Sequence, residues 1–223
     1  MFISKNISLI NEGADEKDFH AMYFDGRALN AINCGSDSSL DVGTGSFSVF
    51  AWYKVIDSGV EFHPIVSKGN GLGSGVGWCI THRTLESDGT VHNRIYLDVV
   101  NTEGDEIRTT DISGINSVST NEWIHVGGVF DNANDLLTTY INGAVATTPA
   151  DTSGTNDLNE GAFNFFIGRE ANSSRQLKGY VADVAYYNTV LNATNVATIF
   201  NNGNLYDNIN GIARALDRIA NAL

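Results

Sequence analysis

The sequence predicts an all-β fold: an antiparallel sandwich, with a short helix and a C-terminal amphipathic helix at its end. Three observations predict it. Strand-like runs recur along the chain with turn signals between them. No helical periodicity is seen before Leu191. The turns are written mainly in Gly, Asn and Asp, because the 223 residues include 23 Gly and only two Pro. Strands of this number and spacing pack as a sandwich.

SFSVFAWYKVI (46–56) is apolar on both alternating faces at its centre, the pattern of a central strand covered on two sides. GVGWCITH (75–82) and VHNRIYLDVV (91–100) flank Glu86–Gly89, which reads as a hairpin. EIRTTDI (106–112) is a shorter strand. WIHVGGVF (123–130) and DLLTTYING (135–143) flank DNAND, a second hairpin. Asn142-Gly143 supplies the positive φ angles of a two-residue turn into GAVATTP (143–149). AFNFFIG (162–168) and LKGYVADVAYYN (177–188) complete the strands. LNATNVATIFNNG (191–203) reads as a helix capped by Asn192 or Thr194 and ended by Gly203. The expected organisation is an N-terminal arm (1–20), one domain (21–203) and a tail (204–223).

With 42% apolar and 17% charged residues the chain is globular in composition. A net charge of −13 argues against a nucleic-acid partner, which needs clustered Lys and Arg. It is compatible with divalent cations, and equally with a plain solvated acidic surface. The N-terminal stretch has no apolar h-region, so export by a signal peptide is not expected. No run approaches the ~20 apolar residues of a membrane span. Cys34 and Cys79 lie in strand-like runs and are expected as two buried free thiols rather than a bridge.

In the tail, Leu205, Ile209, Ile212, Leu216, Ile219 and Leu223 are spaced 4, 3, 4, 3, 4, a coiled-coil seam. Leu predominates at a and Ile occupies d, which suits three or four strands and predicts a homo-oligomer, a trimer first. Gly211 weakens the helix by roughly 1 kcal/mol. A helix docked on its own sandwich is the other reading.

Four segments, in order, resemble the LamG-like jelly rolls of the concanavalin A-like lectin/glucanase superfamily. They are Phe24-Asp25-Gly26 followed by SFSVFAWYK (46–54); the hairpin carrying Trp123, His125, Val126, Asp131, Leu137, Tyr140, Asn142 and Gly143; FFIGRE (165–170); and LKGYVADVAYYN running into the helix. The resemblance covers roughly residues 21–203. It implies two packed sheets, with Trp52, Trp78 and Trp123 filling the space between them or its ends. It also implies a structural calcium ion between an early loop and the last long strand. Asp183 falls on the second acidic position of that motif, where Ala182 replaces the first; Asp25 and the Asp41–Gly45 loop are candidate companions. A turn-capping Asp183 is the alternative.

The residues argue against catalysis. No strand carries carboxylates at the alternating spacing that the glucanase branch uses. GNGLGSGVG (69–77) lacks the ending of a phosphate loop. His125 reads as structural, and His82 with His92 could face each other across a hairpin without a third ligand. The function expected is therefore a non-enzymatic, oligomeric surface protein of a phage or virus, of capsid-decoration or fibre type, presenting a lectin-like jelly roll. The alternative is a carbohydrate-binding module or adhesin domain at a cell surface or outside the cell. Partners would be a capsid or other virion protein, and a glycan or host surface. Exposed loops put Trp78, Asn172 and Arg175 forward as ligand contacts.

Overall fold

The computed structural model describes residues 9–10, 21–27, 30–56, 62–69, 76–85, 91–101, 103–109, 119–146, 148–154, 157–158, 160, 163–171 and 175–202. The seam Leu205–Leu223, Asn172 and the Glu86–Gly89 turn lie outside the described residues.

The strands run, in chain order, β1 (Leu9–Ile10), β2 (Ala21–Asp25), β3 (Ile32–Gly35), β4 (Phe47–Val55) and β5 (Phe62–Gly69). Next come β6 (Gly77–Leu85), β7 (Val91–Val100), β8 (Glu106–Arg108), β9 (Ile124–Asp131) and β10 (Leu136–Ile141). The last are β11 (Ala144–Val145), β12 (Ala150–Asp151), β13 (Phe165–Ile167) and β14 (Lys178–Tyr187), followed by helix α1 (Ala193–Asn202). One sheet has the order β1-β2-β14-β4-β9-β10-β11, with β12 also on β10; the other is β3-β13-β5-β6-β7-β8. All the pairings are antiparallel. This is the expected jelly-roll sandwich.

The core lies where the two sheets face each other. Phe24, Phe47, Tyr53 and Phe130 from one sheet meet Ile65, Trp78, Ile80 and Leu97 from the other, all without solvent exposure. Each such side chain contributes roughly 1.5–3 kcal/mol by leaving water. The second face of β4 is covered too, as its sequence predicts: Val196 of α1 packs with Phe50, and Phe200 stacks on Trp52 at 5.6 Å. Asn192 caps α1, its Oδ1 accepting from the Asn195 N–H at 3.0 Å. The Asn142-Gly143 turn has φ of 49° and 78°, the left-handed pair that a two-residue hairpin requires.

Two expectations are corrected here. Cys34 is exposed on the edge strand β3, while Cys79 alone of the pair is buried. The stretch FHPIVSKG, not anticipated as a strand, is β5, and it is central. Pro64 reads as a strand breaker; it lies beside a bulge, where the β5–β6 register shifts between Pro64 and Val66, and outside Val66–Lys68, the stretch of β5 that pairs with β13.

Candidate ligand-binding face

Alternation along β6 divides its residues between two environments. Trp78, Ile80 and His82 point into the core, and Cys79, Thr81 and Arg83 point out of the sandwich. Register carries that outer face across the sheet. Phe62 stands opposite Arg83, which stands opposite Arg94. Thr81 stands opposite Tyr96, and Ser67, Cys79, Asp98 and Arg108 form one row. Phe166 of β13 continues that row beside Ser67.

After β13 the chain folds back over this face. The Ser67 hydroxyl donates to the Arg169 carbonyl at 2.7 Å, and the Ala171 N–H to the Gly69 carbonyl at 3.4 Å. This places Arg169, Glu170 and Arg175 beside the outer row. Four guanidiniums then sit over aromatic rings. Arg175 Cζ is 4.3 Å and Arg83 Cζ 4.9 Å from the Phe62 centroid. Arg108 lies 5.0 Å from Tyr96 and Arg169 5.0 Å from Phe166. Five of the eight arginines in this acidic chain, Arg83, Arg94, Arg108, Arg169 and Arg175, thus gather at one face.

Carboxylates lie beneath them. Arg108 bonds Asp98 through Nε and Glu106 through its terminal nitrogen. Arg175 reaches Glu170 at 3.5 Å. Burial pushes the Asp98 carboxyl up to about 8, although Arg108 pulls against it. The Cys79 thiol is likewise raised well above its ordinary range, by burial first and then by Glu170. A guanidinium seated on a ring keeps a rigid fork of in-plane donors, suited to carboxylate, sulfate or paired hydroxyls.

The residues put forward from sequence fare differently. Arg175 is at the face. Trp78 is not a ligand contact: it is fully buried, stacked on Phe47 at 4.8 Å and Tyr186 at 6.1 Å, because strand alternation turns it inward. In register His82 stands opposite Ile95 on β7, rather than His92, and opposite His63 on β5. His125 packs parallel to Phe50 at 5.7 Å, and burial lowers it to about 4.

Asp25 and Asp183 do not converge. Asp25 pairs with Lys178, five residues from Asp183, a separation of roughly 16 Å at a rise of ~3.3 Å per residue. Asp25 accepts from the Arg27 N–H, and Asp183 occupies the bulge of β14 with φ of 49°. Among the described residues no three His, Cys, Asp or Glu side chains gather to hold a metal ion. The proposed pair therefore does not fit one calcium ion.

Phe62, Arg83, Arg94, Arg108 and Glu170 were not singled out from sequence. The alternation that turns Arg83 outward is legible in GWCITHR, but its convergence with Arg94 and Phe62 depends on register and on the unforeseen β5.

The family described as the concanavalin A-like lectin/glucanases superfamily matches residues 30–197. Among solved structures, the binding domain of Paraclostridial Mosquitocidal Protein 1 superposes with a TM-score of 0.66 at 16% identity, over 90% of this chain and 47% of that one. The botulinum neurotoxin serotype G binding domain gives 0.63 at 13% identity, over 89% and 45%. A native heptameric SAP-like pentraxin from Limulus polyphemus gives 0.57 at 14% identity, over 81% of each chain. The chain spans about half the length of the two toxin domains, and these likenesses are of fold. No curated protein matches it. With its family match extending over most of its length and its two sheets packed as a jelly roll, the chain belongs to the concanavalin A-like lectin/glucanase superfamily.

Proposed function

We propose that this protein is a non-enzymatic, lectin-like binding module whose ligand is an acidic saccharide, held on the outer face of the β5–β6–β7 sheet. The observation that carries this reading is the gathering of five arginines on one face of a chain with net charge −13. Carboxylate or sulfate groups on a sugar would accept hydrogen bonds from guanidiniums oriented by Phe62 and Phe166. Arg108 and Arg175 are tied to Asp98 and Glu170, which holds their guanidiniums in place on this face. The same ties support a binding role over catalysis, because Asp98 and the Glu170 side chain are enclosed.

The setting proposed is an oligomeric surface protein. The apolar seam of the tail joins copies, trimers first, so that several saccharide faces act together by avidity. A capsid-decoration or fibre-type protein of a virion suits that arrangement; an extracellular or cell-surface adhesin is the second reading. The heptameric pentraxin is a jelly roll of the same fold whose copies assemble, which supports assembly as a use of this fold. A glycan array probed with the full chain, carrying neutral, sialylated, uronic and sulfated saccharides, tests the proposal. Binding confined to acidic glycans and lost in high salt is expected. Binding to neutral glycans alone would sink the arginine face as the site.

A further inference from the structure

Lys68 is a buried cation unrelated to the arginine face. It stands on the inward side of β5 with Trp78 and Phe165 as its cross-strand neighbours, and its side chain is wholly enclosed. Its Nζ lies 2.9 Å from Asp41 Oδ1 and donates to the Phe163 carbonyl at 2.8 Å. The Asp41 side chain is 30% exposed, so one flank of the pair reaches water.

Glu160 completes the group. It is buried, and its Oε1 accepts from the N–H of Val42, the residue after Asp41. Its Oε2 is enclosed with no hydrogen-bond partner among the described residues. Burial raises its carboxyl above the usual range, and the Val42 N–H and the Lys68 charge offset this only in part. Glu160 thus bonds the residue next to Asp41, feels the Lys68 charge, and has its carboxyl biased toward the protonated form.

The geometry points to a covalent cross-link: an amide between Lys68 Nζ and Asp41 Cγ, formed within the folded chain with Glu160 as the proton shuttle. A proton passes from Nζ to the Asp41 carboxylate, giving a neutral amine and acid. The nitrogen lone pair attacks Cγ, forming the C–N bond while the carbonyl π pair moves onto oxygen. Glu160 relays the remaining ammonium proton to the departing hydroxyl, the C–O bond breaks, and water leaves past the exposed flank of Asp41. The balance is ammonium plus carboxylate to amide plus water, with no oxidant or co-reactant. Contact in the fold, with Nζ 2.9 Å from Asp41 Oδ1, replaces a bimolecular encounter. Loss of two partly or wholly buried charges removes their desolvation cost, and the one N–H left on the amide can still serve the Phe163 carbonyl.

Intact mass spectrometry of the denatured full chain, followed by tryptic mapping, tests this. The expected mass is one water below that of the sequence, with no cleavage after Lys68 and a branched peptide containing Asp41 and Lys68. Glu160→Gln, isosteric and neutral, is expected to restore the full mass and that cleavage while the circular dichroism is unchanged. Lys68→Met does the same where it folds. An Asp-Gly imide, as at Asp25-Gly26, also loses a water, but it opens in mild alkali and gives no branched peptide. A wild-type chain at full mass, with Asp41 and Lys68 in separate linear peptides, overturns the proposal. Loss of water without a branched peptide overturns it equally.

Discussion

His63 on β5 and His82 on β6 stand directly opposite each other on the inward face of their sheet, with ring centroids 6.2 Å apart and both residues fully buried. The Tyr53 hydroxyl lies 3.3 Å from His82 Nδ1. Burial first, and the facing imidazole second, lower His82 from 6.5 to about 3.

This pair makes stability depend on pH. A folded His82 that stays neutral to about pH 3 binds fewer protons than the unfolded chain at any pH between there and 6.5. Stability is therefore lost as pH falls through that window. His125, lowered to about 4, acts in the same direction. Asp98, raised to about 8 from 3.8, has the opposite sign, contributing stability as pH falls from 8. Thermal melts of wild type and His82→Gln between pH 7 and pH 4.5 separate these effects. The wild-type Tm is expected to fall more steeply than the variant's; parallel curves would show that His82 is not the group responsible.

Gly127 and Gly128 on β9 mark how closely the layers approach. A Cβ at Gly127 would lie 1.8 Å from Phe50 Cδ1 under α1, and one at Gly128 2.3 Å from Leu97 across the core. Gly128→Ala is expected to cost ~1–3 kcal/mol by overpacking. Urea denaturation checks this; an unchanged midpoint would mean the sheets can separate at no cost.

Trp78 separates stability from binding. Enclosed among Phe47, Phe165 and Tyr186, it should lose about 3–5 kcal/mol on substitution by Ala. Trp78→Phe, which keeps a ring in the core, should fold and bind glycan as wild type does. A folded Trp78→Phe protein with lost binding would return Trp78 to the ligand site.

The seam from Leu205 to Leu223 predicts assembly. Light scattering on a sizing column should find the full chain as an oligomer, trimeric first, and a chain ending at Gly203 as a monomer. Two monomers would place the tail on its own sandwich and remove the main support for a virion or fibre setting.

The sheets and the helix were legible because strand alternation and turn chemistry are local signals. SFSVFAWYKVI announces a strand covered on both sides, and Asn142-Gly143 announces its turn. The candidate face was less legible, because its parts lie on separate strands. Phe62 meets Arg83 and Arg175 only through β5, whose Pro64 conceals a central strand, and through a loop that folds back after β13. Trp78 shows the converse error: adjacency to a glycine-rich loop suggested exposure, but alternation from Arg83 sends it inward.

An acidic saccharide on the proposed arginine face would touch Arg83 and Arg94, which stand opposite each other on β6 and β7. The most direct measurement is calorimetric titration of wild type, Arg83→Ala, Arg94→Ala and, as a control on the opposite sheet, Lys54→Ala, using the best acidic glycan from the array. Either arginine substitution is expected to weaken binding on the order of tenfold, a difference of ~1.4 kcal/mol, with the Lys54 variant unchanged. Full affinity in a folded Arg83→Ala, Arg94→Ala double variant would contradict the account.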